Sequence, residues 1–140
     1  MTVMVTGGTG FIGKRIISKL LDLGEEVVCF DLTPLNMNMV TGSDNLNNYR
    51  GDVTQIPHLL EAVNTFNVDR IIHMAALLPP DTEDRPHFGM LVNIQGTNNV
   101  FEVARWTGVK RVVYASSIAV YGVQETFGDR LINEDDVTSP

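Results

Sequence analysis

The spacing of apolar residues along this chain switches back and forth between two patterns. Short apolar runs at Thr2-Val3-Met4-Val5, Val27-Val28-Cys29-Phe30, Ile71-Ile72 and Val112-Val113 are bounded by turn residues, as buried strands are. They predict strands over about 2–6, 26–31, 69–75 and 111–116, with a further short strand near 46–50. Between them the spacing widens to three and four residues. Phe11, Ile12, Ile16, Leu20 and Leu23 predict a helix over 11–23, stopped at Gly24. A second helix is expected over 55–66, with Pro57 in its first turn. A long third helix is expected over 87–107, where Met90, Leu91, Ile94, Val100, Phe101 and Ala104 form one apolar stripe against a sheet. Residues 33–45, 78–87 and 122–140 read as loops, the first with room for a helical turn.

Strand and helix alternate, so the fold class is α/β: a doubly wound parallel sheet with helices on both faces. Right-handed crossovers predict the strand order 3-2-1-4-5, with a ligand crevice at the carboxyl edge between strands 1 and 4. At that edge stands Thr6-Gly7-Gly8-Thr9-Gly10-Phe11-Ile12-Gly13. From Gly8 it reads G-x-G-x-x-G, between a strand and a helix. In this pattern the first glycine permits the tight turn, the second lets a pyrophosphate approach the backbone, and the third lets helix and strand pack closely. The helix N-terminus adds free N–H groups and a positive dipole end for phosphates. Asp31, at the end of the second strand, stands where a carboxylate takes the adenosine ribose hydroxyls and repels a 2′-phosphate. No Arg or Lys occurs in residues 32–35, so NAD is expected in preference to NADP. The structural alternatives are a glycine-rich turn and an Asp that opens the turn before Pro34.

Composition narrows the remaining choices. A chain of 140 residues suits one domain of ordinary size. Ten basic against 17 acidic residues give a net charge of −7, a poor balance for a nucleic-acid partner. No apolar run approaches the roughly 18 residues of a membrane span, and the chain opens into a strand with no signal peptide. The single Cys29 reads as core filler, which fits a reducing cytoplasm. No metal site is expected.

With these elements placed, the chain resembles the extended short-chain dehydrogenase/reductase family, the NAD-dependent epimerases and dehydratases. Residues 6–13 resemble its T-G-x-x-G-x-x-G loop, and Gly51-Asp52-Val53 is similar to its motif at the adenine ring. His73-Met74-Ala75-Ala76 is similar to its strand-4 motif H-x-A-A. Asn93-Ile94-Gln95-Gly96-Thr97 resembles N-x-x-G-T, and Ser116-Ser117-Ile118-Ala119-Val120-Tyr121-Gly122 resembles S-S-x-x-V-Y-G. The resemblance implies a Rossmann-type fold in which Gly7, Gly10, Phe11, Ile12 and Gly13 surround the pyrophosphate. Asp52 would take the adenine amine, Val53 would pack on the ring, and Ala75 and Ala76 would let the chain pass close to the cofactor. Asn93 would organise the site behind the nicotinamide, and Ser116 would be a minor contact. Ser117 would be the catalytic hydroxyl. Each has a plain structural alternative: Asp52 as a turn acceptor, Asn93 as an ordinary helix-start residue, Ser117 as a polar strand end. His73 is expected to pack and hydrogen-bond and not to act as acid or base.

The family's Tyr-x-x-x-Lys pair has no counterpart here: Tyr49, Tyr114 and Tyr121 are each followed at i+4 by a residue other than Lys. Counting from Ser117 places that pair just past Pro140. Residues 1–140 are therefore expected to be an NAD-binding domain truncated before the sixth strand and lacking the substrate domain. The implied parent is an epimerase, dehydratase or dehydrogenase acting on a nucleotide sugar or related hydroxyl substrate, as a homodimer away from membranes. The alternative is an NAD-binding regulatory or sensing module without catalysis. Arg85 and His87 would border the substrate pocket, as phosphate contacts or as solvated loop residues.

Overall fold

Residues 1–36, 43–123, 125 and 127–136 are described by a computed structural model of the chain. The central strand β1 (Thr2–Thr6) is buried along its whole length, as expected of a strand paired on both sides and covered on both faces. It lies parallel to β2 (Glu26–Asp31) and to β4 (Arg70–His73), with Val5 opposite Cys29 and Ile72. The outer strands β3 (Leu46–Arg50) and β5 (Arg111–Tyr114) complete the predicted order 3-2-1-4-5.

Side-chain alternation along the strands divides the core between the two faces. Val5, Val27 and Cys29 pack with Ile17 and Leu21 of helix α1 (Phe11–Asp22). Met4, Val28, Phe30 and Ile71 face the other way, against α2 (Ile56–Thr65) and α5 (Thr97–Thr107). Cys29 is buried, and burial pushes its thiol pKa up to about 11. It packs as core filler.

Several sequence expectations need correction. On α1 the buried positions are Gly13, Ile17 and Leu21, a strict i, i+4 row, whereas Phe11, Ile12 and Leu23 are exposed. The expected loop 78–87 contains a short helix, α3 (Asp81–Asp84), closed by an Arg85–Asp81 ion pair of 3.0 Å. The long helix begins as α4 (Pro86–Met90) and passes through a π-helical segment, Leu91–Gly96, before becoming α5. One extra residue per turn rotates everything downstream by about 100°. The apolar positions split: Val100, Val103 and Ala104 face the core, while Ile94 and Phe101 face outward, as does Met90 ahead of the π-helical segment. Strands β4 and β5 end at His73 and Tyr114, so Ala75, Ala76, Ser116 and Ser117 belong to the following loops. Residues 37–42 of the first expected loop lie outside the described residues; Ser43–Asn45 form a single 3-10 turn.

The two ends of the sheet carry different residue types. At the amino edge, Asp69 accepts hydrogen bonds from the Lys110 ammonium (2.6 Å) and the Thr2 amide (3.1 Å), and Glu25 pairs with Arg70 at 2.7 Å. These ties join β1, β4 and β5 where they start. Glycines and hydroxyl side chains gather at the carboxyl edge. Replacing the fully buried Leu59 with Ala should cost about 3 kcal/mol, the usual range for a core Leu that leaves a cavity. Urea unfolding monitored by circular dichroism reads this as a lower midpoint at unchanged slope.

Candidate functional site

Because β1 and β2 end side by side, the loop after β1 meets Asp31 at the tip of β2. Gly7 adopts φ +67, and a Cβ there would stand 2.7 Å from the Ala75 amide nitrogen. Only glycine permits both the left-handed conformation and the contact. A Cβ on Gly13 would strike the Gly7 carbonyl oxygen and lie 2.8 Å from Gly8 Cα. Helix α1 thus starts directly against the loop. Gly10 is the residue before its first turn and offers no side-chain cap. The amides of Phe11, Ile12 and Gly13 have no partner within the helix and point toward the loop. Phe11 and Ile12 keep exposed side chains, and the Arg15 guanidinium lies 4.4 Å from the Phe11 ring centre.

A cavity of about 320 Å³ opens over this loop. Gly7, Gly10, Asp31, Asp52, Val53, Ala75 and Ala76 line it, which brings together seven of the residues singled out in the sequence. It is also bounded by Thr9, Phe30, Leu32, Gly51, Met74, Leu77, Phe88 and Val92. Thr9, Gly51 and Met74 stand inside the recognised motifs and Leu32 follows Asp31, so their neighbours were signals for them. Phe88 carried no signal: it falls inside the expected helix 87–107 but outside the apolar stripe read there. Asp31 accepts a hydrogen bond from the Thr9 amide at 3.0 Å and a longer one from the Thr33 amide at 3.4 Å. Asp52 uses Oδ1 to accept from the Thr54 amide at 2.8 Å. It is a turn acceptor and a wall of the cavity at once.

Behind the cavity runs a chain of hydrogen bonds whose direction is set by donor counting. Thr97 donates its hydroxyl proton to the Asn93 carbonyl (2.7 Å), so it accepts from His73 Nε2 at 3.0 Å. His73 Nδ1 is then an acceptor, and the Thr6 hydroxyl donates to it at 2.6 Å. Thr6 Oγ1 in turn accepts from the amides of Met74 (3.2 Å) and Ala75 (3.3 Å). Asn93 completes the wall by bonding both backbone groups of Leu77, its Oδ1 accepting at 2.8 Å and its Nδ2 donating at 2.9 Å. His73 is 4% exposed, and burial pushes its pKa down to about 4. It packs and relays orientation, as expected.

Ser116 and Ser117 do not line the cavity. Both are exposed beyond β5, and Ser117 Oγ accepts from the Ala119 amide at 3.2 Å, capping a 3-10 turn at Ile118–Tyr121. Arg85 and His87 are exposed, and neither lines the cavity. Lys14, which no motif marks, borders a neighbouring cavity with Thr9 and Thr33. Among the described residues no cluster of His, Cys, Asp and Glu could hold a metal ion, and no helix is long and apolar enough to cross a membrane.

Comparison with known proteins places this geometry in context. The model of the 3-beta hydroxysteroid dehydrogenase/isomerase family matches residues 4–139. The 3-beta-hydroxysteroid dehydrogenase of Mycolicibacterium neoaurum is 34% identical over 88% of this chain and 34% of its own length. A UDP-glucose 4-epimerase of Lacticaseibacillus casei is 30% identical over 87% of this chain and 37% of its own. Among solved structures, the UDP-glucose 4-epimerase of Thermus thermophilus in complex with NAD superposes with a TM-score of 0.80 at 32% identity. That match covers 100% of this chain and 45% of the other. The chain spans about a third of the length of the curated relatives it matches.

Two predictions come from the loop and the network. Gly13→Ala should lower thermal stability and abolish dinucleotide binding, read by calorimetry, because the Gly7 carbonyl has nowhere to move. The neutral His73 gives a pH signature. The unfolded chain takes up a proton below about pH 6.5 while the folded chain resists until about 4, so stability should fall through that window as pH drops. The full loss is on the order of 3 kcal/mol. Denaturant midpoints at stepped pH should show it, and His73→Asn should flatten the curve in that window. Asp69 and Glu25, whose pKa values are lowered by their ion-pair hydrogen bonds, add their own loss only in the carboxylate range below it.

Proposed function

The chain belongs to the 3-beta hydroxysteroid dehydrogenase/isomerase family, and on that premise we propose that residues 1–140 are the NAD-binding domain of an oxidoreductase acting on a ring hydroxyl. One observation carries the reading: Gly7 and Gly10 of the glycine loop, the Asp31 carboxylate and Asp52-Val53 line a single cavity. The loop fits a dinucleotide: a Cβ at Gly7 or Gly13 would collide with the backbone that shapes it, and Gly10 presents bare backbone to the cavity.

In this reading Gly7, Gly10 and the first amides of α1, at Phe11, Ile12 and Gly13, hold the pyrophosphate, with the helix dipole adding attraction. Asp31 takes the adenosine ribose hydroxyls. Asp52 and Val53 hold the adenine. Ala75 and Ala76 pass close to the nicotinamide ribose, with Asn93 fixing the backbone of Leu77 behind them. When bound, NAD accepts a hydride from the substrate carbon that bears the hydroxyl. Ser117 supplies the hydroxyl that orients the substrate, and Ser116 makes a lesser contact. Removal of the hydroxyl proton needs a tuned base. These residues contain no Tyr followed by Lys at i+4, so that role falls to groups beyond them. The same fact favours a second reading, an NAD-binding module that does not turn over.

The substrate is a nucleotide sugar or another ring alcohol. The charged side chains lining the cavity are Asp31 and Asp52, and Met74, Leu77, Phe88 and Val92 add apolar lining. The hydroxysteroid is supported by the family match and the Mycolicibacterium neoaurum relative, and the nucleotide sugar by the Lacticaseibacillus casei epimerase. A homodimer in the cytoplasm belongs to the same proposal, supported by the outward-facing Ile94 and Phe101 and by the free Cys29.

Two experiments test it. The full-length protein supplied with NAD should generate NADH absorbance from a 3β-hydroxysteroid or convert UDP-glucose to its 4-epimer without net NADH; binding of NAD with neither reaction would select the module reading. Asp31→Ala should weaken NAD by about tenfold and NADP much less, because it removes both the ribose acceptor and the repulsion of a 2′-phosphate. Equal losses for both dinucleotides would refute the role given to Asp31.

A further inference from the structure

We propose that His58 is a positioning residue for the adenine-binding turn, Gly51 to Thr54, and that it does this only as a neutral imidazole. The inference rests on the NAD reading above and adds to it a residue that no motif marks.

The turn is held from several sides. Asp52 Oδ1 accepts from the Thr54 amide, and the Asp52 carbonyl accepts from the Gln55 amide at 3.0 Å. The Val53 carbonyl accepts from Nδ2 of the buried Asn99 at 3.0 Å, and the Val53 side chain lies against Gly96, where a Cβ would come within 2.7 Å of it. Amides make all these ties on the donor side, and an amide does not titrate. The Asp52 amide itself donates to His58 Nδ1 at 3.2 Å. His58 is the third residue of α2, whose preceding residue, Gln55, gives no side-chain cap. Its ring reaches back out of the helix to the turn, as an acidic residue does in a capping box.

The bond needs a lone pair on Nδ1, so the proton must sit on Nε2. Adding a second proton turns Nδ1 into a donor facing the Asp52 N–H. Acid that protonates the ring removes this acceptor, so the grip on the adenine end should loosen. Among the described residues, Asp52 is on the turn, Glu61 lies further along α2 and accepts from the Tyr49 hydroxyl at 2.9 Å, and on α5, the helix packed against α2, Glu102 and Arg105 pair with each other at 2.7 Å.

The test is NAD affinity by calorimetry at about pH 7.5 and about 5.5 for wild type, His58→Gln and His58→Ala. Glutamine keeps an acceptor that does not titrate; alanine keeps none. His58 is exposed, so both variants should fold, as far-ultraviolet circular dichroism would verify. Wild type should weaken about fivefold on acidification, the worth of one hydrogen bond. The Gln variant should bind like wild type at the higher pH and hold that affinity at the lower. The Ala variant should be weakened at both. A Gln variant with the wild-type slope, or an Ala variant indistinguishable from wild type, overturns the role of His58 and leaves the cofactor reading intact. No binding of NAD by wild type at either pH overturns the cofactor reading, and this inference with it.

Discussion

The site depends on one close approach of backbones. Gly7 leaves β1 in a left-handed conformation and runs against the chain at Met74-Ala75, with no space for a side chain between them. That contact joins two loops far apart in sequence, the one after β1 and the one after β4. Parallel pairing of Thr6 with His73 puts both loops at the same height. The Thr6 hydroxyl then locks the approach, accepting from the amides of Met74 and Ala75 while donating to the ring of His73. Parallel pairing of β1 with β4 starts both loops at the same edge of the sheet, where the crevice opens. The choice of small and hydroxyl residues makes it tight.

The helix from Pro86 to Thr107 serves both ends of the cavity. Asn93 and Thr97 reach the β4 side, at Leu77 and His73. Gly96 and Asn99 reach the other side, at Val53. A regular α-helix places residues at i and i+4 on one stripe, and the π-helical turn at Leu91–Gly96 changes the phase between the two halves. Such turns recur at functional sites because they re-aim side chains without ending the helix. Here the gain is a rigid element that fixes the loop beside Ala75 and Ala76 and the turn at Asp52 together. The cost is visible on the outside, where Met90, Ile94 and Phe101 are left facing solvent.

Much of this was legible in the residues. The strand order followed from alternation of short apolar runs with helical spacing, and the glycine spacing after β1 marked the cradle. The resemblance to the extended dehydrogenase/reductase family agrees with the family match and with the solved epimerase structure. The errors share a cause. Apolar periodicity over 87–107 reads as one stripe against the sheet, yet Met90 and Ile94 are exposed, as are Phe11 and Ile12 on α1. Periodicity reports which residues share a helical face and says nothing of whether that face meets the core. The π-helical turn is set by contacts on both sides of the helix and leaves no mark in the spacing.

By itself, then, the sequence determined the elements, their order across the sheet and the chemistry gathered at its carboxyl edge. Those depend on local periods and on glycines whose purpose is written in their neighbours. Only the tertiary structure decided how each polar group is engaged. Asp31 bonds the Thr9 amide, Asp52 serves its own turn and accepts the help of His58, and His73 is a buried neutral relay between two threonines. The physical reason is that hydrogen-bond roles depend on which donors lie within about 3 Å. Residues 67 positions apart, such as Thr6 and His73, come that close only when the sheet brings them together.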